Sequence, residues 1–125
     1  MGRLTYNRDS HVDIDDRALL HLQYVIGDKL RRGESFMFSW VTQDVSKPGL
    51  RMVWINANST LTFSYHGSRV SSLNRAWLEA LAFTANSAGG LYLVPEPPGE
   101  EFETAVAHIE RPPRANPMAD EPPAA

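Results

Sequence analysis

The block from Asp15 to Trp40, DDRALLHLQYVIGDKLRRGESFMFSW, constrains the fold more than any other part of the chain. Asp15 or Asp16 is suited to cap a helix, because a carboxylate accepts hydrogen bonds from the free N–H groups of the first turn. Apolar residues then recur at helical spacing until Gly33, which provides a left-handed stop. The side chains over 35–41 alternate as in a strand. The block therefore predicts a helix that leads directly into a strand.

The two faces of this helix differ in polarity. The face expected to be buried carries an apolar stripe of Leu19, Leu22, Ile26 and Leu30. The opposite face is expected to be outward, and it carries Arg17, His21, Tyr24, Asp28 and Arg31. His21 and Tyr24 are therefore candidates for contact with a partner. Gly27 lies inside the helix, where glycine is unfavourable, and we interpret it as room for the close approach of a neighbouring strand.

The remaining patterns complete a small α+β domain. The second helix is expected to end at Gly89-Gly90, and Asn56 to Ser59 is expected to join two strands as a hairpin. The order is ββαβββαβ, which favours a mainly antiparallel sheet with two helices packed on it. Outside the opening block, the predicted strands are 3–6, 11–15, 51–56, 60–66 and 91–94, and the second helix is 73–86.

The C-terminal part of the chain has a different composition. Eight of the nine prolines lie at position 95 or later, and residues 96–125 carry two Lys/Arg against seven Asp/Glu. Such a segment has few residues able to form a core. We therefore expect a compact domain over residues 1–95 and an acidic, Pro/Ala/Glu-rich disordered tail over residues 96–125.

Several classes of function lack their sequence signatures. The chain has no cysteine, which excludes disulfides and thiolate metal sites, and its four histidines lack zinc-site spacing. No glycine-rich phosphate loop and no G-x-S-x-G motif occurs. Asp13, Asp15 and Asp16 suit a metal site or, as we favour, a strand end and a helix cap. No apolar run approaches the about 20 residues of a membrane span. We expect a soluble cytoplasmic protein without cofactor or metal.

Basic residues provide one candidate for a binding site. An arginine near the start of the second helix can hold an anion, or it can pair with Glu79 one turn later. Clustering of the basic residues on one surface would support a nucleic-acid-associated accessory protein, and the candidates are Lys29, Arg31, Arg32, Arg69 and Arg75.

An exposed aromatic residue provides the other candidate. Phe83 falls on the polar side of the second helix, about 240° from Trp77 at 100° per residue. An exposed phenylalanine indicates a contact with another protein. We therefore expect an interaction module without enzymatic activity, homodimeric or bound to an unknown protein, with Phe83, Tyr24 and His21 as interface residues.

Several separated motifs keep their order in a way that resembles a known family. They are the opening block, GSR at 67–69, LNRAWLEAL at 73–81, ANS at 85–87 and LVPEP at 93–97. The chain resembles, over nearly all of residues 1–97, a family of short actinobacterial proteins of unassigned function, often labelled "ATP-dependent DNA ligase". Such ligases need a nucleophilic lysine in K-x-D-G. Neither Lys29 nor Lys47 lies in that motif, so the resemblance supplies no catalytic residue.

Overall fold

The computed structural model describes residues 1–42, 46, 48–67 and 72–102, and these residues form two helices and seven strands. The α+β class is therefore confirmed. In chain order the elements are β1 (Gly2–Tyr6), β2 (Ser10–Ile14), α1 (Asp16–Arg31), β3 (Phe36–Val41), β4 (Leu50–Ile55), β5 (Leu61–Ser64), β6 (Leu73–Asn74), α2 (Arg75–Ala85) and β7 (Glu101–Phe102).

Helix α1 begins and ends as its sequence predicts. The Asp15 carboxylate accepts a hydrogen bond from the Ala18 N–H at 3.1 Å. At the other end, Gly33 has a positive φ of 73° and donates its N–H to the Leu30 carbonyl at 3.0 Å. Glu34 donates its N–H to the Lys29 carbonyl at 3.0 Å. These two bonds form a Schellman motif, which satisfies the last carbonyls of the helix.

All strand pairs in the described part of the chain are antiparallel, but they form three small sheets instead of one. The orders are β2-β1-β5, β3-β4 and β6-β7. The predicted hairpin between β4 and β5 is wrong, because β5 pairs with β1 in the register Leu4↔Phe63. The turn itself forms, since Ser59 donates its N–H to the Asn56 carbonyl at 3.0 Å. The strands then separate, because β4 pairs with β3 and β5 pairs with β1.

The predicted last strand over 91–94 is also wrong. Among these residues only Leu91 pairs with a strand, by an isolated parallel bridge to Phe38. Gly90 allows this segment to lie close to β3. Its φ is +86°, and a Cβ at this position would lie 2.7 Å from both Cβ and O of Met37. The final strand is β7, which pairs with β6 in front of α2.

Helix α1 lies at the centre of the core. Phe38, Ile55, Leu81 and Leu91 are fully buried around its apolar stripe, so both helices and the sheets contribute to one cluster. The two helices run side by side in the same direction. Asn74, in front of α2, bonds to His21 in the first half of α1, and Asn86, after α2, bonds to Lys29 in the last turn of α1. The helix pair therefore has a distinct N-terminal and C-terminal end.

Candidate interaction surfaces

The segment over 94–102, here called the strap, crosses the N-terminal end of the helix pair. The Trp77 indole N–H donates to the Val94 carbonyl at 2.9 Å, and the Arg75 N–H donates to the Glu100 carbonyl at 2.9 Å. Glu96 forms an ion pair with Arg17 at 2.7 Å. The described structure thus continues beyond the predicted boundary at residue 95. The tail prediction for residues 103–125 lies outside the described residues.

Asn74 joins the strap to the start of α2. Its side-chain oxygen caps the helix, accepting from the N–H of Ala76 at 3.0 Å. Its side-chain nitrogen donates to Glu96 at 2.9 Å and to the Pro97 carbonyl at 2.7 Å. Hydrogen bonds from Arg17 first, and then from Asn74, lower the pKa of Glu96 to about 2. The strap therefore carries a stable negative charge at this position.

The prediction that His21 faces outward is wrong. His21 is completely buried, and its ring lies 4.5 Å from the Trp77 ring. Its Nδ1 lies 2.8 Å from the Arg17 carbonyl, and its Nε2 accepts the Asn74 N–H at 2.8 Å. Burial lowers the pKa of His21, which favours the neutral imidazole. The helical pattern predicts a single buried face for α1, whereas α1 is covered on two sides. The start of α2 lies over His21 on the second side.

Three of the predicted basic residues lie together at the C-terminal end of α1, in contact with carboxylates. Lys29 is buried, with Nζ 2.7 Å from Asn86 Oδ1 and 3.0 Å from Glu34 Oε1. The Arg32 guanidinium lies 3.2 Å from Asp28 and 3.5 Å from Glu34. Arg31 makes a longer contact of 3.8 Å with Asp28. This end of the helix pair is a mixed-charge surface rather than a positive patch.

Arg75 lies at the other end of the helix pair. Since α2 has 11 residues, Arg75 lies about 16 Å along the helix axis from the end that carries Lys29. Its guanidinium lies 4.0 Å from Glu100 and over the Phe102 ring at 4.7 Å. Arg75 therefore contacts residues of the strap instead of forming the predicted pair with Glu79. Arg69 lies outside the described residues. The described basic candidates therefore do not form one surface.

The acidic residues near α1 have structural partners. Asp13 pairs with Arg3 at 2.8 Å, and the hydrogen bond from Arg3 is the main cause that lowers the pKa of Asp13. Asp16 accepts the N–H groups of His66 at 3.2 Å and Gly67 at 2.8 Å. Within the described residues, no group of three or more His, Asp or Glu side chains is placed to hold a metal ion.

The most exposed apolar surface of the sheets is the outer face of β3 and β4. On β4 the side chains of Leu50, Met52 and Trp54 share one face and are 63%, 48% and 50% exposed. Val41, opposite Leu50 on β3, is 66% exposed. The solvent side of an antiparallel sheet is ordinarily polar. The four exposed residues, here called the outer face, are apolar instead, while Ser39, opposite Met52 on the same side of β3, is buried.

Strand β4 also has an open edge beside this face. The Thr42 N–H bonds to the Gly49 carbonyl, so the backbone groups of residues 49, 51, 53 and 55 point toward β3. Those of Leu50, Met52 and Trp54 therefore point away from β3. Among the described residues, the Trp54 carbonyl accepts a hydrogen bond from the Tyr6 hydroxyl at 2.7 Å. The structure describes no strand along this edge.

The sequence did not identify the outer face in advance. The strand LRMVWI is apolar at both alternating positions except for Arg51, so its pattern does not show which side faces the core. Phe83, by contrast, is 78% exposed, in agreement with its predicted place on the polar side of α2. Tyr24 is half-buried and packs against Leu20 and Leu73. The roles of Phe83 and Tyr24 in an interface stay predictions.

No helix in the described part of the chain combines the length and the apolar character that crossing a bilayer requires. No curated protein and no solved structure matches the chain, so these comparisons transfer no activity or ligand to it. The resemblance to a family of unassigned function is confirmed. The matching family model, described as Domain of unknown function (DUF7882), covers residues 1–96, and the chain belongs to this family.

Proposed function

We propose that this chain is an interaction module without enzymatic activity that forms a homodimer through the outer face of β3 and β4. The observation that supports this proposal is the exposure of Leu50, Met52, Trp54 and Val41 on one side of a two-stranded sheet. Contiguous apolar surface of this kind marks contact sites. A cytoplasmic location belongs to the same proposal, since a chain without cysteine is suited to a reducing compartment.

The outer face is suited to contact a second copy because it carries no charge. A twofold axis at Met52 would place Leu50 opposite Trp54 of the other copy, and Met52 opposite its own counterpart. Arg51, the only charged residue of β4, points to the other side of the sheet. No like charges therefore meet within the outer face, and burial of its side chains would drive association.

The test is the oligomeric state in solution, measured by light scattering coupled to size exclusion. We expect a dimer for the wild-type chain, and a folded monomer with an unchanged far-ultraviolet circular dichroism spectrum for Met52→Lys, because a buried unpaired charge opposes association. Phe83→Asp is the matched control on α2, and it should remain dimeric. A wild-type monomer at about 0.5 mM, a concentration that populates even weak dimers, would refute the proposal.

Two other results would assign a different contact. Loss of the dimer in Phe83→Asp alone would place the interface on α2. Salt-dependent binding of DNA or RNA to the wild-type chain would instead support the nucleic-acid alternative, because neutralised phosphates release counterions. The pairing of Lys29, Arg32 and Arg75 with carboxylates gives that alternative little support.

A further inference from the structure

A second surface, distinct from the outer face, lies between α1 and β5. It is an open cleft of about 650 Å³, within the range of pockets that hold ligands. Its floor is apolar, because Ile26, Leu30, Leu61 and Phe63 line it, and its other lining residues are Gln23, Tyr24, Gly27, Arg31 and Ser59.

The strand that borders the cleft has an open hydrogen-bonding edge. Thr60 exchanges hydrogen bonds with Asn7, so the backbone groups of residues 60, 62 and 64 point toward β1. The N–H and C=O groups of Leu61 and Phe63 therefore point away from β1. No described strand pairs with that side of β5. Such an edge is a template for an additional strand.

Gly27 has no packing explanation within the described residues. A Cβ at this position would meet only Arg31 Nη1, at 3.7 Å. Glycine inside a helix is less stable than alanine, so Gly27 weakens α1 without making room for any described neighbour. The bare backbone of Gly27 lines the cleft. An occupant of the cleft that approaches α1 closely would explain the glycine.

Charge indicates the chemistry of the occupant. Among the described residues, Arg31 is the only charged one that lines the cleft, and its guanidinium is exposed with a long contact of 3.8 Å to Asp28. An exposed pair of this length contributes little, so Arg31 is available for a carboxylate. The Tyr65 hydroxyl bonds to Gln23, which places the end of β5 near Gln23 and its start near Arg31.

We propose that the cleft binds an extended peptide with a free C-terminal carboxylate, which adds to β5 as an antiparallel strand. Its backbone pairs with Leu61 and Phe63, its alternate apolar side chains occupy the cleft beside Gly27, and its carboxylate contacts Arg31. Main-chain pairing supplies affinity in this mode of recognition, and side-chain pockets supply specificity. This inference goes beyond the proposed dimer, and it uses a different surface.

The test is a synthetic library of random octapeptides with free carboxyl ends, screened against the purified full chain. Gly27→Leu fills the cleft and favours the helix, so this variant should unfold at a higher temperature than the wild type and retain no specific peptide. Selected peptides should have alternating apolar residues, and fluorescence anisotropy should show about tenfold weaker binding when the carboxylate is amidated.

Arg31→Gln should weaken the same peptides by a similar factor. The matched control is Arg32→Gln, which removes the same charge from the same helix end but does not line the cleft. Met52→Lys should bind the peptides like the wild type, so failure of the dimer leaves this inference intact. No selection by the wild-type chain, equal binding by Gly27→Leu, or equal binding of acid and amide forms would overturn it.

Discussion

At the scale of single residues, His21 holds the start of α2 through a neutral ring. Its Nδ1 donates to the Arg17 carbonyl, so Nε2 carries no proton and accepts the Asn74 N–H. Protonation of Nε2 would place two donors against each other. Glu96 lies close by and stays ionised because of Arg17 and Asn74. Both groups therefore stabilise the fold only in the charge state that neutral pH provides.

The stability of the chain should fall in two stages as the pH falls. Burial lowers the folded-state pKa of His21, so its contribution is complete above the ordinary histidine value of about 6.5 and is lost below it. The contribution of Glu96 is complete above the ordinary 4.5 and is lost as the pH falls toward about 2. Urea unfolding at a series of pH values measures both stages.

The variant His21→Gln should abolish the first stage, because the amide does not titrate and can accept the Asn74 N–H. His11→Gln, at an exposed position on β2, is the matched control and should keep the wild-type pH dependence. Identical slopes between pH 7 and 5 for His21→Gln and the wild type would show that His21 does not control this stage.

At the scale of elements, α2 depends on a cap that the strap shares. Asn74→Ala removes two helix-capping bonds and two bonds to the strap. We expect the free energy of unfolding to fall by about 2 kcal/mol or more, since a cap contributes about 1 kcal/mol and each further buried bond a similar amount. Equilibrium urea unfolding measures the change.

An exposed asparagine provides the control for this prediction. Asn58 lies in the turn after β4, and Asn58→Ala should change the free energy of unfolding by less than about 0.5 kcal/mol. If both variants lost the same free energy of unfolding, the bonds of the Asn74 side chain would not stabilise the fold.

For the complete fold, we predict that the strap is needed for the stability of the domain. A chain that ends after Val94 lacks the ion pair of Glu96 with Arg17, the Asn74 bonds and the pairing of β7 with β6. We expect its unfolding temperature to fall by about 10 °C, because a loss of 1 kcal/mol corresponds to about 4–8 °C in a domain of this size. Differential scanning calorimetry measures it.

A chain that ends after Phe102 is the matched control. It keeps every strap contact described above, so it should unfold within about 2 °C of the full chain, a difference that reflects less than 1 kcal/mol. If the chain that ends after Val94 were equally stable, the strap would be an attached segment that does not stabilise the domain.

Features that depend on neighbours along the chain could be predicted from the sequence. The carboxylate cap at Asp15, the glycine stop at Gly33 and the exposure of Phe83 follow from local bonds and helical periodicity, and the structure confirms them. The partners of the other two acidic residues near α1 are not local, because Asp16 accepts the N–H groups of His66 and Gly67 from a distant part of the chain and Asp13 pairs with Arg3 on the neighbouring strand.

Which faces of the helices and strands are covered depends on contacts between distant parts of the chain. His21 is buried because α2 lies over it, and β5 pairs with β1 because Phe63 faces Leu4 across 59 residues of chain. The outer face of β4 is exposed because no described element covers it, although apart from Arg51 the strand is apolar on both sides. Burial depends on contacts between distant segments, and periodicity along a single segment does not encode the partner.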